Sequence, residues 1–165
     1  MRIEIIDGIK YRLDEDKLTA EVSQMMGYKG DIIIPETVVF NEATYRVTSI
    51  GYEAFKGCSS LTSITIPNSV KSIGEAAFKG CTFLKSIPIP DGVTRIGVQA
   101  FFQCRSLKSI TIPASVKSIG HGAFDMCESL KSIIFQGTIA QWKEIELGSS
   151  FPTAVVHCTD GDWVK

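Results

Sequence analysis

The stretch SVKSIGEAAFKGCTFLKSIPIP, residues 69–90, determines the architecture, because the chain repeats it with few changes. The next copy, GVTRIGVQAFFQCRSLKSITIP, occupies residues 92–113, and a third, SVKSIGHGAFDMCESLKSIIFQ, occupies residues 115–136. A fixed period of this kind is typical of a solenoid, in which each copy forms one coil and stacks on the next. The positions that recur every 23 residues are Ile50-Gly51, Ile73-Gly74, Ile96-Gly97 and Ile119-Gly120; Phe55, Phe78, Phe101 and Phe124; Cys58, Cys81, Cys104 and Cys127; and Leu61, Leu84, Leu107 and Leu130.

Each copy contains a segment with the period-2 alternation of a half-buried strand. Ile64 and Ile66 alternate with Ser63 and Thr65, and equivalent residues follow in the later copies. A proline comes after most of these segments and removes a main-chain donor, so each strand is expected to end there. Stacking then predicts a parallel sheet along one face, with strands within residues 61–66, 84–89, 107–112 and 130–135.

The second half of each coil supplies the rest of the predicted core. Val70 and Ile73 are expected to point inward, and Gly74 to turn the chain with positive φ. Phe78 and its equivalents are the largest core residues, and burying one contributes roughly 1.5–3 kcal/mol. Because each recurring position forms a column through the stack, one copy alone cannot close the core.

The two ends depart from the repeat, as the terminal units of a solenoid do. The sequence GIKYRLDEDKLTAEV predicts a β-hairpin near the N-terminus, and a second hairpin is inserted at 38–47, turning at Asn41-Glu42-Ala43. Thr138 is expected to cap a short helix over IAQWKEI, with Trp142 covering the end of the core, before a final strand and turn. The expected division is an N-terminal hairpin cap at 1–33, about four coils at 34–135 and a C-terminal cap at 136–165.

The strand pattern Leu-x-x-Ile-x-Ile and the 23-residue period fit leucine-rich repeats. The full motif LxSIxIPxSVxSIGxxAFxxC resembles the BspA-like leucine-rich repeats of bacterial and protozoan surface proteins, over residues 34–135. The resemblance implies a β-rich leucine-rich repeat solenoid with short helical turns, a cell-surface or secreted location, and adhesion to host extracellular matrix or to other bacteria. The Asn or Cys of commoner leucine-rich repeats is replaced by Ser69, Gly92 and Ser115, so nearby backbone groups are expected to pair with serine hydroxyls or water.

Composition excludes several classes of partner. The 165 residues include 17 basic and 18 acidic side chains, and a formal charge of -1 argues against general attraction to nucleic acid or anionic membranes. No run of 18 apolar residues is present, so no transmembrane segment is predicted. The N-terminal residues lack the features of a signal peptide. Either the protein stays inside the cell, or the sequence begins after a removed signal, and both possibilities stand.

The regular spacing of the cysteines favours packing over chemistry. Four of the five lie 23 residues apart without a C-x-x-C pair or a histidine at ligand spacing. Adjacent strands hold equivalent Cβ atoms about 4.8 Å apart, farther than the ~3.8 Å mean of a disulfide. The fifth, Cys158, follows His157, and neighbouring residues of a strand face opposite ways, so this pair is not expected to act as nucleophile and base.

The other polar residues do not predict an active site. Asp160 and Asp162 are too few for a calcium loop and indicate a polar turn. His121 occupies an outward repeat position, and two histidines in the chain provide little material for a catalytic triad. The glycines follow the repeat instead of forming a phosphate-binding loop. We therefore predict no catalytic residue, no cofactor and no metal site.

Outward residues of the predicted sheet are the candidate binding surface. Serines and threonines form polar columns there, lysines form a basic column beside them, and Lys71, Thr94-Arg95 and Lys117 suggest a second basic column. The functional interpretation is a surface for a protein or an acidic glycan; the plain alternative is a solvated sheet whose lysines confer solubility. Nucleic acid is disfavoured because no aromatic residues lie between the lysines. The candidate residues are Ser63, Thr65, Ser86, Ser109, Thr111, Ser132, Lys85, Lys108 and Lys131.

Two functional hypotheses follow. The first is a non-catalytic protein-binding module of the cell-surface adhesion or host-interaction type, with an extracellular-matrix or cell-surface protein as partner. The second is an intracellular structural or protein-interaction scaffold, which the five unpaired cysteines and the lack of a recognisable signal peptide favour.

Overall fold

The repeat period appears as a stack of coils in the structure, a computed structural model that describes residues 1–164. Each coil crosses two faces of the stack, and both faces carry β-structure. In chain order the elements are β1 (Arg2–Ile6), β2 (Ile9–Asp14), β3 (Thr19–Val22), β4 (Gly30–Ile33), β5 (Thr37–Phe40), β6 (Ala43–Ile50), β7 (Leu61–Thr65), β8 (Ser72–Ile73), β9 (Arg95–Ile96), β10 (Ser109–Ile112), β11 (Ser118–Ile119), β12 (Ser132–Phe135), α1 (Ile139–Lys143), β13 (Glu146–Leu147), β14 (Val155–Cys158) and β15 (Gly161–Trp163).

One face, which we call the strand face, contains the sheet predicted from the sequence. β4 pairs in parallel with β7, and farther along the stack β10, β12 and β14 also pair in parallel. β15 closes this second group by pairing antiparallel to β14. Ile110 and Ile133 lie opposite each other in register and are buried. Equivalent positions of successive coils therefore lie side by side on this face.

The strand predicted within residues 84–89 is absent, and the strand-face sheet is interrupted there. Ile87 and Ile89 are buried, but an isolated bridge from Pro88 to Thr111 is all the β-pairing that this coil makes on the strand face among residues 1–164. Pro88 has no N–H to donate to a neighbouring strand. The strand expected within residues 84–89 was therefore wrong, and a two-stranded sheet and a four-stranded sheet lie on either side of Pro88.

The opposite face, which we call the return face, carries a larger sheet that we did not predict. Its nine strands follow the order β1-β2-β3-β6-β8-β9-β11-β13, with β5 paired to β6. Ser72 points outward while Ile73 is buried, and this alternation repeats in register at the following coils. The two-residue strands of this face are held by their neighbours in the stack, because each is too short to be stable alone.

The phenylalanine column forms the centre of the core. Phe55, Phe78, Phe101 and Phe124 are buried, and successive rings stack with centroids 5.1, 5.3 and 5.6 Å apart and planes within 3° of parallel. Tyr28 covers one end of this ring column, and Phe151 meets the other end edge-on. The predicted inward positions, including Val70 and Ile73, are also fully buried. Each coil therefore completes the core of the next one.

The recurring glycines have a different role from the predicted one. Gly51, Gly74, Gly97 and Gly120 are not among the residues with positive φ, so the expectation of a left-handed turn there was wrong. A Cβ on Gly97 would lie 2.5 Å from the carbonyl carbon of Gly74, and a Cβ on Gly74 would lie 2.7 Å from that of Gly51. These glycines are required because the main chains of adjacent coils touch at this position.

Positive φ occurs instead at two other positions of each coil. The first lies two residues after the glycine, and the second lies immediately before the cysteine. Several of these positions hold residues with a Cβ, which carry a conformational cost in the left-handed region. The residues at the first position are Glu53, Ala76, Gln99 and Gly122, and those at the second are Gly57, Gly80, Gln103 and Met126.

The N-terminal end is built from hairpins. β5 and β6 form the predicted hairpin, with positive φ at Asn41 and Glu42 as a two-residue type I′ turn requires. β2 and β3 form the other predicted hairpin, and β1 adds an outer strand that was not predicted. β3 pairs in parallel with β6 and joins this end to the return face.

The C-terminal end closes the core with an aromatic cluster. Thr138 caps α1 as predicted: its hydroxyl accepts a hydrogen bond from the Gln141 amide, and the Gln141 side chain accepts one from the Thr138 amide. Trp142 is fully buried against Phe135, Phe151 and Trp163. No helix within residues 1–164 is long and apolar enough to cross a bilayer. The last residue of the predicted cap, Lys165, lies outside the described residues, and the domain boundaries stay predictions.

Phe101→Ala tests the core column. We expect it to lower the free energy of unfolding by ~3–5 kcal/mol, since the neighbouring stacked rings cannot fill the cavity. The adjacent Phe102→Ala is the matched control, because Phe102 is only half-buried and packs against the Lys79 ammonium. Guanidinium denaturation compares the two variants. Equal losses would contradict the stacked core.

Gly97→Ala tests the contact between main chains. A Cβ at Gly97 requires adjacent coils to move apart, so we expect a loss of about 3 kcal/mol. The comparison variant is Gly57→Ala, where φ is +72° and the added Cβ meets nothing, so the loss should be about 1 kcal/mol. Thermal unfolding of both proteins measures the difference. A larger loss from Gly57→Ala would show that coil spacing is not the constraint.

Candidate binding surfaces

The strand face presents the predicted serines as an outward column. Ser109 and Ser132 face each other in register, and Ser63 and Ser86 occupy the equivalent positions of the preceding coils, where they are exposed. At the N-terminal end Asp31 accepts hydrogen bonds from Ser63 at 2.6 Å and from Thr62. These two bonds, first that from Ser63, hold the pKa of the Asp31 carboxyl below its usual value. The column therefore ends on a fixed negative charge.

The threonine column beside these serines is mixed in character. Thr65 is exposed and Thr111 is half-buried, but Pro88 separates them. Ile33 precedes them and Ile134 follows, and both of these isoleucines are exposed. This column of the strand face therefore mixes polar threonines with apolar proline and isoleucine side chains.

The lysine column is exposed and unpaired. The amide of Lys108 donates to the carbonyl of Lys85, and the amide of Lys131 donates to that of Lys108, so the three residues lie on adjacent coils. No ion pair involves any of them in the described part of the chain. Arg105, by contrast, pairs with Glu128 at 3.4 Å. The strand face therefore carries a line of positive charge available to a partner.

The second basic column proposed from the sequence forms in part. The Thr94 amide donates to the Lys71 carbonyl and the Lys117 amide donates to the Thr94 carbonyl, so these three exposed residues lie in line on adjacent coils. Lys71 lies with its ammonium near Gly92, and Lys117 lies in a small cavity beside Gln141 and Glu144. Arg95 instead points into a groove on the return face. Lys71 and Lys117 therefore belong to one column with Thr94 between them, and Arg95 belongs to the neighbouring column with Ser72 and Ser118.

The cysteine column both packs and donates hydrogen bonds. Cys81, Cys104 and Cys127 are buried, and each thiol donates to the phenylalanine carbonyl of the preceding coil, at 3.1–3.2 Å. Burial raises the pKa of Cys81 and of Cys127 to about 12, and raises that of Cys104 as well. The thiols therefore stay protonated and unreactive near neutral pH, and the packing interpretation is confirmed.

Ser69 and Ser115 stand where commoner leucine-rich repeats have Asn or Cys, and only one of them forms the expected hydrogen bond to the backbone. Ser115 donates to the Val93 carbonyl at 2.7 Å. The Ser69 hydroxyl is buried without a hydrogen-bond partner in the described residues. The thiols of Cys81, Cys104 and Cys127, which we had assigned to packing alone, also donate to backbone carbonyls of a neighbouring coil.

The polar residues near the C-terminus make structural contacts. His157 Nδ1 lies 2.7 Å from Asp162 Oδ1 across the β14–β15 hairpin, and Cys158 packs toward the core on the other side of the strand. Asp160 accepts a hydrogen bond from the Ile139 amide at the start of α1. Within residues 1–164 there is no group of three or more His, Cys, Asp or Glu residues placed to hold a metal ion.

A groove on the return face was missed by the sequence reasoning. It comprises two neighbouring cavities of about 310 and 360 Å³ that share Arg95 in their lining. Tyr52, Glu75 and Val98 line its second wall, and His121 continues that wall, with Nδ1 2.7 Å from Ser149 Oγ. The floor consists of Gly51, Gly74, Gly97, Gly120 and Gly148, and the first wall is the in-register column Glu21, Ser49, Ser72, Arg95, Ser118 and Glu146.

The signal for this groove was present in the sequence. In each coil the residue before the buried isoleucine points outward, because neighbouring residues of a strand face opposite ways. The glycine after the isoleucine leaves no side chain on the floor of the groove. We had assigned those glycines to turns, so the two outward columns beside them were not joined into one surface.

Comparison with known proteins identifies the repeat. A family model described as "BspA type Leucine rich repeat region" matches residues 40–149 in six copies. The matched segment extends to the fifth glycine of the groove floor, Gly148, which follows Leu147 in register with Ile119. No curated protein matches the sequence.

Three solved structures are similar to this chain. A leucine rich cell surface protein of Faecalibacterium prausnitzii is 29% identical, with a TM-score of 0.66, over 90% of this chain and 43% of that chain. A leucine-rich repeat protein of Bacteroides capillosus is 29% identical, with a TM-score of 0.74, over 83% of this chain and 100% of that chain. One from Bacteroides ovatus is 31% identical, with a TM-score of 0.57, over 92% and 54%. The chain thus spans less than half of the Faecalibacterium protein.

Thiol labelling tests the cysteine assignments. With Ellman's reagent at pH 8 we expect one thiol, Cys158, to react in the native protein, and all five to react after denaturation. Cys158→Ser should remove the native reaction and leave four thiols in the denatured protein. If Cys81 or Cys104 reacted in the native protein as fast as Cys158, the column would be accessible and the burial argument would fail.

Proposed function

Because this chain belongs to the BspA-type leucine-rich repeat family, we propose that it is a non-catalytic protein-binding module that contacts its partner through the strand face. The observation that supports this most directly is the line of short outward side chains, Ser63, Ser86, Ser109 and Ser132, across four coils. Small side chains leave the face flat, and stacking extends it, so a partner can contact several coils together.

The lysine column gives this surface a preference in charge. Lys85, Lys108 and Lys131 form a local positive line on a molecule whose formal charge is -1. Complementary charge at the rim of an interface speeds encounter and fixes orientation. We therefore expect a partner with an acidic patch, and an association rate that falls as salt concentration rises.

We further propose that the module acts at the cell surface, in adhesion or host interaction, with an extracellular-matrix or cell-surface protein as partner. Its support is the similarity to the Faecalibacterium cell surface protein, which is 29% identical. The alternative, an intracellular interaction scaffold, is favoured by one observation: all five cysteines are free thiols, which persist in reducing compartments. Surface proteolysis of intact producing cells separates the two proposals.

Charge reversal on the strand face tests the protein-binding proposal. We expect Lys85→Glu, Lys108→Glu and Lys131→Glu together to reduce binding to immobilised extracellular-matrix proteins about tenfold or more, because an acidic patch on the partner would then be repelled. Surface plasmon resonance over a salt series measures the association and dissociation rates.

The matched control reverses three exposed lysines outside the strand-face column, Lys71, Lys117 and Lys143, and so changes the net charge equally. It should leave binding within twofold of the unmodified protein. Equal losses from both triple variants, or saturable binding that neither variant changes, would contradict the strand face as the contact surface.

A further inference from the structure

The groove of the return face is a second surface, separate from the one proposed for protein binding. It lies on the opposite sheet, and none of the candidate residues of the strand face lines it. We propose that this groove binds an acidic glycan, a sugar chain carrying carboxylates, and that Arg95 is the residue that receives a carboxylate.

Arg95 is placed as an anion-binding residue. It lines both cavities of the groove, is exposed, and forms no ion pair in the part of the chain that the structure describes. Ser72 and Ser118 are its in-register neighbours on the two adjacent coils, at a strand spacing of about 4.8 Å. A guanidinium donates two parallel hydrogen bonds to one carboxylate, and the hydroxyls on either side can donate further ones.

The dimensions and remaining charges of the groove favour a chain with widely spaced carboxylates. Five glycine positions at the strand spacing give a floor about 19 Å long. Three carboxylates also line the groove: Glu21 is paired with Arg12 at 3.0 Å, whereas Glu75 and Glu146 form no ion pair within residues 1–164. These carboxylates can accept hydrogen bonds from sugar hydroxyls but would repel any polymer with a charge on every sugar, so the ligand places one carboxylate at Arg95 and hydroxyl groups beside the glutamates.

The floor does not suit an extended peptide. Peptides that lie against a sheet gain affinity mainly from main-chain hydrogen bonds. Here the amide of Gly97 donates to Ile73 at 2.9 Å and the amide of Gly74 donates to Ile50 at 2.8 Å, so the floor donors are already used between coils. The hydrogen-bonding groups that remain are wall side chains, which suit hydroxyl groups. Tyr52, 61% exposed, adds a ring face for the apolar side of a sugar.

Calorimetric titration with defined glycans tests the proposal. The probes are hyaluronan oligosaccharides and a sialyl-oligosaccharide, in which carboxylates are widely spaced or single, together with the methyl ester of each as the uncharged control. We expect saturable binding of at least one acidic probe at one chain per protein, and its loss on esterification. Arg95→Gln should weaken that binding about tenfold or more, because a charge-assisted bidentate contact is lost.

Matched variants separate the groove from general charge attraction. Lys117→Gln makes the same charge change outside the groove and should leave binding within twofold. Ser118→Tyr should block the groove, whereas Ser109→Tyr, on the strand face, should not; thermal unfolding confirms that both variants are folded.

Three results would overturn the proposal. The first is no saturable binding of any acidic probe. The second is equal weakening by Arg95→Gln and Lys117→Gln, which would indicate unspecific attraction to the whole protein. The third is an oligoglutamate peptide that binds with the same affinity and the same dependence on Arg95, which would assign the groove to an acidic peptide.

Discussion

The contact between main chains at the recurring glycines fixes the distance between coils, and the rest of the structure depends on that distance. A Cβ on Gly97 would lie 2.5 Å from the main chain of the preceding coil, so the coils cannot tolerate any side chain at this position. With the coils this close, the phenylalanine rings stack nearly parallel at 5.1–5.6 Å. The cysteine thiols also come within reach of carbonyls in a neighbouring coil.

This spacing imposes costs elsewhere in each coil. The chain must turn sharply between its two faces, and it does so at positions with positive φ. Gly57 and Gly80 adopt this conformation without strain, whereas Gln103 and Met126 hold the equivalent positions in later coils. The stack can include these strained residues because stability is shared among coils through their interfaces.

The sequence predicted correctly those features that depend on contacts between residues close together in the chain. Asn41 and Glu42 mark a hairpin turn, and Thr138 caps α1 through its own hydroxyl, so neighbours in sequence suffice to identify them. The period also predicted the buried columns, because a residue repeated at every coil must meet its own copies.

The features that were missed depend on contacts between coils. Glycine allows both positive φ and close approach, and the sequence alone does not distinguish the two. Pro88 lies in a segment whose apolar and polar residues alternate as in a strand. Its lack of an N–H prevents pairing only because a strand of an adjacent coil would have to accept a hydrogen bond from it. The groove walls come from residues 23 or more positions apart, which the short strands of the return face bring into register.

Amide hydrogen exchange at the glycine column tests most directly that inter-coil contact holds the stack together. The amides of Gly74, Gly97 and Gly120 each donate to the preceding coil, and those of Phe78 and Phe101 donate to the following coil. If the coils open only together, NMR will give one common, high free energy of opening for these five amides. Fast exchange at Gly97 while Phe101 stays protected would contradict a stack whose coil spacing is fixed by the glycine contact.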